Sequence, residues 1–409
     1  MTRTTVPRID DNTVLHVLPV TVVQQGDDFL VGDPVSAVYV ALPDIGVRVL
    51  RMLAAGHAVG SCLAELAADG VDVDVADFAA SLIEVGLASP ASPASAAAGV
   101  AGHPNPSRNP LVRPRWGLLA SGPAVWAIAV ACAVGVPALL TLRPSLFPRV
   151  DDIFFLSTPV RSTVGLIVLT LVLRAVHEGC HWLAARAEGV HATFSISRRL
   201  YLLVFETDLT RMWGLPRRRR FWPLLAGMAF DVAVLFAALL ARQAAALGWW
   251  HPGEQTGRVL AAVTFIQIAG ILPQFFVFLR TDVYGVLVIA TGCFDLWQVT
   301  RLELCRRLHL DRARHRAQLA AAHPRDRAVA RWFVWCYAVG LVLAAWFFIA
   351  YFVPATVRIV VWVAHTVAAA ELGRPAFWEA AGFGALLLSS RILTLAVAIR
   401  DILRRRQAS

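Results

Sequence analysis

The 409-residue sequence contains no lysine, so arginine supplies all 38 of its basic side chains. Charge of either sign is scarce: 16% of residues are charged against 57% hydrophobic, and the mean hydropathy is +0.61. Such a balance excludes an ordinary soluble domain and points to several membrane spans. The net charge of +10 would suit nucleic acid, but the arginines gather at the ends of apolar runs, as in cytoplasmic loops of membrane proteins. The expected partner is therefore a lipid bilayer and not a nucleic acid. Six cysteines (Cys62, Cys132, Cys180, Cys293, Cys305, Cys336) form no CxxC pair, which argues against a disulfide framework and a cysteine zinc finger. The opening "MTRTTVPRIDDNTV" lacks the apolar core of a signal peptide, so none is expected. No repeat recurs at a fixed period.

What is present falls into three parts. Residues 1–88 read as a small α+β winged-helix-like domain. Its β-branched runs are broken by Gly-Asp and Gly-Asp-Pro, and three short helices follow, with Asp44 expected as an N-cap after Pro43 and Ser61 and Asp74 or Asp77 near the later helix starts. Residues 89–115, rich in Pro, Ala, Ser and Gly, read as a linker. Residues 116–409 read as an α-helical polytopic membrane domain of about six spans, at 117–141, 159–184, 221–247, 259–280, 331–363 and 376–399. The short run 283–294 is Gly-interrupted and reads as a re-entrant segment or a bend after the fourth span. Arginines concentrate before span one, between spans two and three, between spans four and five, and after span six. This pattern places both termini in the cytoplasm and the protein in the cytoplasmic membrane.

The second span carries the chemistry. "LVLRAVHEGCHWLAARAEGV" puts His177, Glu178 and His181 where hydrocarbon makes polar groups costly, and such clusters mark function. His177 and His181 lie four residues apart and share a helix face, while Glu178 projects at an angle to them. HExxH on a helix suits two imidazole zinc ligands and a glutamate that takes a proton from the metal-activated water. A catalytic zinc takes a third protein ligand. Spans two and four both run inward, so Asp282 in "FVFLRTDVYGV" reaches a depth like that of the histidines and is the expected third ligand, with Asp295 as the competitor. Zn²⁺ with ionised Asp282 and Glu178 is a neutral assembly, which a low-dielectric site holds more cheaply than two lone carboxylates. Cys180 faces about 100° away from His181 and reads as a small packing residue. Arg174 lies four residues before Glu178 and is expected to pair with it. Asp231, inside span three, either orients water or substrate or pairs with an arginine.

"HEGCHWLAARAEGV" resembles the zinc-binding helix of the site-2 protease family of intramembrane metalloproteases, and "RTDVYG" is similar to that family's distal Asp-Gly motif. The subgroup of peptide zinc metalloproteases is nearest, since it carries an arginine-rich stretch before its third core span, as "LPRRRRFWPLLAGMAFD" does here. The resemblance covers roughly residues 159–295. It implies that His177, His181 and Asp282 bind zinc and that Glu178 is the general base. The chain departs from the family at Val283, where a glycine is usual, and at Met228 and Asp231, where proline and asparagine are usual. Two strands around Arg198–Arg199, in "VHATFSISRRLYLLVFETDL", are similar to the family's β-hairpin, which implies capture of an extended substrate by strand addition. "FLVGDPVSAVYVALPDIGVRVLRML" is similar to PqqD-type domains, which implies recognition of a ribosomally made peptide. The expected activity is zinc-dependent cleavage of a peptide or membrane-proximal segment near the cytoplasmic face. The rivals are regulated cleavage of a transmembrane anchor, and a non-catalytic receptor, export or immunity protein. The sequence leaves the oligomeric state open.

Overall fold

A computed structural model of the chain describes residues 9–90, 113–120, 122–199 and 202–369, with scattered helical residues between 377 and 403. Backbone contacts divide the chain into two compact units. The first comprises Met1–Ala120, Ala184–Thr193 and Asp208–Pro223; the second comprises Ser121–Leu183, Phe194–Thr207 and Leu224–Ser409.

The first unit opens with β1 (Leu15–Val17), β2 (Thr21–Gln25), β3 (Asp28–Asp33) and β4 (Val38–Leu42). It continues with α1 (Asp44–Ala54), α2 (Val59–Ala68), α3 (Val75–Glu84) and β5 (Ala88–Pro90). β2, β3 and β4 form an antiparallel sheet, and β5 returns to pair with β1. Gln25 pairs with Asp28 across a two-residue loop, where Gly26 takes a positive φ of 71° that side-chain-bearing residues avoid. The β3–β4 turn is tied by Asp33, whose carboxylate accepts from the amides of Val35 (2.8 Å) and Ser36 (2.9 Å). Burial pushes the Asp33 carboxyl up, but these two amides, together with the Ser36 side chain and the nearby Arg211 charge, outweigh it and hold the group below its usual value. Asp44 does not cap α1: Pro43 occupies the N-cap in extended geometry, and Asp44 stands in the first turn, where its charge favours the helix N-terminus. Asp74 caps α3 by accepting from the Asp77 amide at 2.8 Å. Val31, Leu50, Leu53, Leu66, Leu82 and Leu87 supply the core under the sheet.

The other two segments of this unit join it through polar contacts. The Tyr39 hydroxyl donates to the Arg211 carbonyl (3.0 Å), and Arg211 donates to the Val35 carbonyl (2.9 Å). Burial pushes the Tyr39 phenol up to about 12. Arg220, the last of the arginine block, is fully buried; it donates to the Gln25 side chain (2.6 Å) and to the carbonyls of Leu215 (2.8 Å) and Trp213 (3.0 Å). Glu188 is buried between Arg113 (2.9 Å) and Arg219 (2.5 Å). At least part of the arginine block expected between spans two and three is thus structural.

The second unit contains α4 (Pro123–Leu142), α5 (Pro159–Ala187, which runs on into the first unit), β6 (Thr193–Arg199) and β7 (Leu202–Asp208). α6 (Arg217–Ala246), α7 (Glu254–Ile271), α8 (Asp282–Thr291) and α9 (Leu296–Arg307) follow. The series ends with α10 (Ala313–Ala321), α11 (Pro324–Phe347), a π-helical turn (Phe348–Phe352) and α12 (Val353–Ala369). α4, α5, α6, α7 and α11 are long and apolar enough to cross a membrane. α8 and α9 meet at an 89° bend, which makes them a broken span or a re-entrant loop. The fourth expected span ends as an α-helix at Ile271, short of residue 280, because Pro273 cannot continue the ladder and the chain passes into two 3₁₀ turns. The sixth expected span, 376–399, lies largely outside the described residues, as do most of the 89–115 linker and the carboxy-terminal arginines.

Candidate metal centre

α5 presents His177 and His181 one helical turn apart, and both are buried. Their Nε2 atoms lie 3.1 Å apart. The third side chain arrives by a different device. After the two 3₁₀ turns, Arg280 adopts left-handed geometry (φ 57°, ψ 45°), Thr281 is extended, and α8 begins at Asp282 itself. The unwinding therefore precedes the aspartate, and Val283 sits within the helix without preventing it. Gln274 fixes this junction: its backbone carbonyl accepts from the Thr281 hydroxyl (2.6 Å) and its side chain from the Asp282 amide (3.2 Å). Asp282 Oδ2 stands 3.3 Å from His177 Nε2 and 3.4 Å from His181 Nε2.

The three donors suit a divalent cation. Metal–ligand bonds of about 2.0–2.1 Å in a tetrahedral site set donor atoms about 3.3 Å apart. The spacings of 3.1, 3.3 and 3.4 Å match. Asp282 Oδ2 is buried and has no hydrogen-bond partner, an arrangement that is costly unless a cation compensates it. Among the described residues, His177, His181 and Asp282 are the group of histidine, cysteine and acidic side chains that could hold a metal ion. Asp295, the competing candidate, is spent as the N-cap of α9, where it accepts from Gln298.

α6 closes the site. Gly227 faces the histidine pair so closely that a Cβ there would fall against Nε2 of both His177 and His181. One turn on, buried Asp231 accepts from His177 Nδ1 at 2.8 Å. That bond assigns the imidazole proton to Nδ1 and leaves the Nε2 lone pair directed into the cluster. Arg174 also reaches Asp231 Oδ2, at 3.2 Å, so it pairs with Asp231 and not with Glu178 as its spacing suggests. Room for its guanidinium comes from Gly270 on α7, where any Cβ would collide with it. Of the two expected roles for Asp231, the arginine pairing is present, and the orientation of His177 is an addition.

Glu178 stands beside the three donors. Its Oε1 is 4.0 Å from His177 Nε2, while Oε2 accepts from the Thr207 amide (2.7 Å) and the Thr207 hydroxyl (2.8 Å). Thr207 lies near the end of β7, which pairs with β6. Trp182, Phe194 and Phe205 stack in series beside these strands, with ring centroids 6.4 and 5.6 Å apart. Phe194 and Phe205 are about half exposed. Three contributors are missing from the sequence-based expectation: Gly227, Thr207 and the Asp231–His177 bond. Gly227 alone has a local signal, a glycine four residues before a buried acid in an apolar run. Cys180 is half-buried and is not part of the metal-binding group.

No family model, curated protein or solved structure matches the chain.

Proposed function

We propose that the chain is an intramembrane zinc metalloendopeptidase of the site-2 protease type, with His177, His181 and Asp282 as metal ligands and Glu178 as general base. The observation that carries this reading is the convergence of two imidazoles and one carboxylate at 3.1–3.4 Å, with a second carboxylate 4.0 Å away. Two nitrogen donors and one oxygen donor form a set that zinc accepts in hydrolases. A bound zinc ion would acidify a water and polarise the scissile carbonyl.

The chain's own groups do the rest. Glu178 Oε1, free of the Thr207 bonds that hold Oε2, takes a proton from the attacking water and passes it to the departing amine. Water adds to the carbonyl carbon, the C–N bond breaks, and a carboxylate and an amine leave. Asp231 keeps His177 in the tautomer that ligation requires. β7 ends on Glu178 through Thr207, so a peptide added to this two-stranded sheet would lie in extended form beside the base. Extended substrate matters because a helix hides its amides in internal hydrogen bonds.

The substrate on this reading is a peptide or a membrane-proximal segment, cut near the cytoplasmic face. The three-stranded sheet and three helices of residues 1–88 support a PqqD-like role in recognising a ribosomally made peptide. The test is cleavage of candidate peptides by the purified full chain and by Glu178→Gln. Wild-type cleavage that disappears in the variant, with bound metal unchanged, supports the reading. Cleavage that persists in the variant refutes the assigned base.

A further inference from the structure

A cavity of about 500 Å³, within the usual range for ligand sites, is lined by Glu303, Arg306, Arg316, Pro324, Arg327 and Arg331 from α9, α10 and α11. The segment 301–331 that forms it holds nine arginines and three acidic residues. All three acids are committed elsewhere. Glu303 is buried and binds Arg306 (2.6 and 2.8 Å) and Arg307 (2.9 Å). Asp311 pairs with Arg316 at 3.0 Å. Asp326 is buried and accepts from the amides of Phe294 (3.0 Å) and Asp295 (3.2 Å). Arg327 and Arg331 are therefore left without an acidic partner among the described residues. They stand four apart on one face of α11, where like charges repel and a bound anion would relieve the repulsion.

The rest of that face says what kind of anion. Beyond Arg331 it exposes Trp335, Val339, Val342, Leu343 and Trp346. Arginine, then tryptophan, then aliphatic side chains is the profile of a helix passing from headgroups through the interface into hydrocarbon. Arg307, which pairs with the cavity-lining Glu303, lies 4.9 Å over the Trp335 ring.

We propose that this cavity binds the phosphate of an anionic membrane lipid, with Arg327 and Arg331 as its main contacts and the acyl chains along the Trp335–Leu343 face of α11. Guanidinium groups bind phosphate oxygens through charge-assisted hydrogen bonds, and basic pockets beside transmembrane helices select anionic headgroups. A free phosphate would use the same arginines but would leave the apolar face unmatched. The proposal stands independently of the metal centre.

The experiment is native mass spectrometry of the full chain in detergent with equal amounts of phosphatidylglycerol and phosphatidylcholine. Wild type is expected to retain phosphatidylglycerol preferentially. The pair Arg327→Gln/Arg331→Gln should lower phosphatidylglycerol affinity about 30-fold, which corresponds to about 1 kcal/mol for each of two interfacial arginines. Arg312→Gln/Arg314→Gln, outside the cavity lining, should leave it unchanged. Arg327→Lys/Arg331→Lys should keep most of the preference, which separates lost charge from lost fold. Millimolar inorganic phosphate should not displace the lipid. Equal retention of the two lipids, an unaffected glutamine pair, or displacement by phosphate would each overturn the proposal.

Discussion

Thr207 grips Glu178 at one carboxylate oxygen: its backbone amide and its hydroxyl both reach Oε2, at 2.7 and 2.8 Å, and leave Oε1 on the side of His177. A strand residue thus sets the orientation of the helix-borne glutamate. Thr207→Val keeps the amide bond and the shape but loses the hydroxyl. Misplacing a catalytic group costs up to about 100-fold in rate, so a 10- to 100-fold fall in kcat is expected with little change in KM. Thr207→Ser should restore kcat, and both variants should bind metal normally. A rise in KM with kcat intact would assign Thr207 to substrate binding instead.

Asp231 acts on the metal through His177. Removing a carboxylate that orients a ligating imidazole typically weakens metal affinity about 10- to 100-fold. Asp231→Asn is expected to do this, because an amide cannot both hold His177 Nδ1–H and neutralise Arg174 as the carboxylate does. Titrating the apoprotein with zinc against a competing chelator measures it. An unchanged affinity would make Asp231 a mere partner of Arg174.

Gly227 tests how tightly α6 closes on the histidines. In Gly227→Ala the new methyl meets both Nε2 atoms, which belong to side chains fixed by burial. Loss of metal binding with helix content preserved is the expected result, read by metal analysis and circular dichroism together. Full metal occupancy in this variant would show that α6 can withdraw.

The parts of this site differ in how far they can be read from sequence, for a physical reason. His177 and His181 share a face because the helical period is local, and four residues suffice to state it. Asp282 is reachable by counting spans, although its presentation depends on Pro273 and on Arg280 in left-handed geometry, ten residues of irregular chain that no periodicity reports. Thr207 and Asp231 are different. Each meets α5 across a long stretch of sequence, 29 and 54 residues away, and a threonine in a strand or an acid in an apolar helix carries no mark of its partner. The spacing that suggests an Arg174–Glu178 pair is correct as geometry, but each side chain has another partner, Asp231 and Thr207. In the amino-terminal domain the Gly-Asp turns and three helices are legible, whereas the β1–β5 pairing across 73 residues is not.

The Asp33 turn predicts a pH dependence in the amino-terminal domain. Its carboxyl is held below the usual 3.8, so the unfolded chain binds the proton more readily than the folded one. The stabilisation is therefore present above about pH 3.8 and is lost as pH falls through the lower folded value. Asp33→Asn should speed amide exchange at Val35 and Ser36 near neutral pH, by roughly fivefold if the ion–amide bonds contribute about 1 kcal/mol. The ratio of variant to wild-type exchange should shrink towards one as pH drops below 3.8. A ratio that does not change with pH would remove the ionised carboxylate from the argument.

The most direct measurement is the metal content of the purified full chain, compared across wild type, Glu178→Gln and Asp282→Ala. The convergence of His177, His181 and Asp282 predicts one divalent ion per chain in wild type, retained in Glu178→Gln and lost in Asp282→Ala. Wild-type protein that binds no ion under metal-replete conditions, or an Asp282→Ala variant that binds as wild type does, would contradict the account.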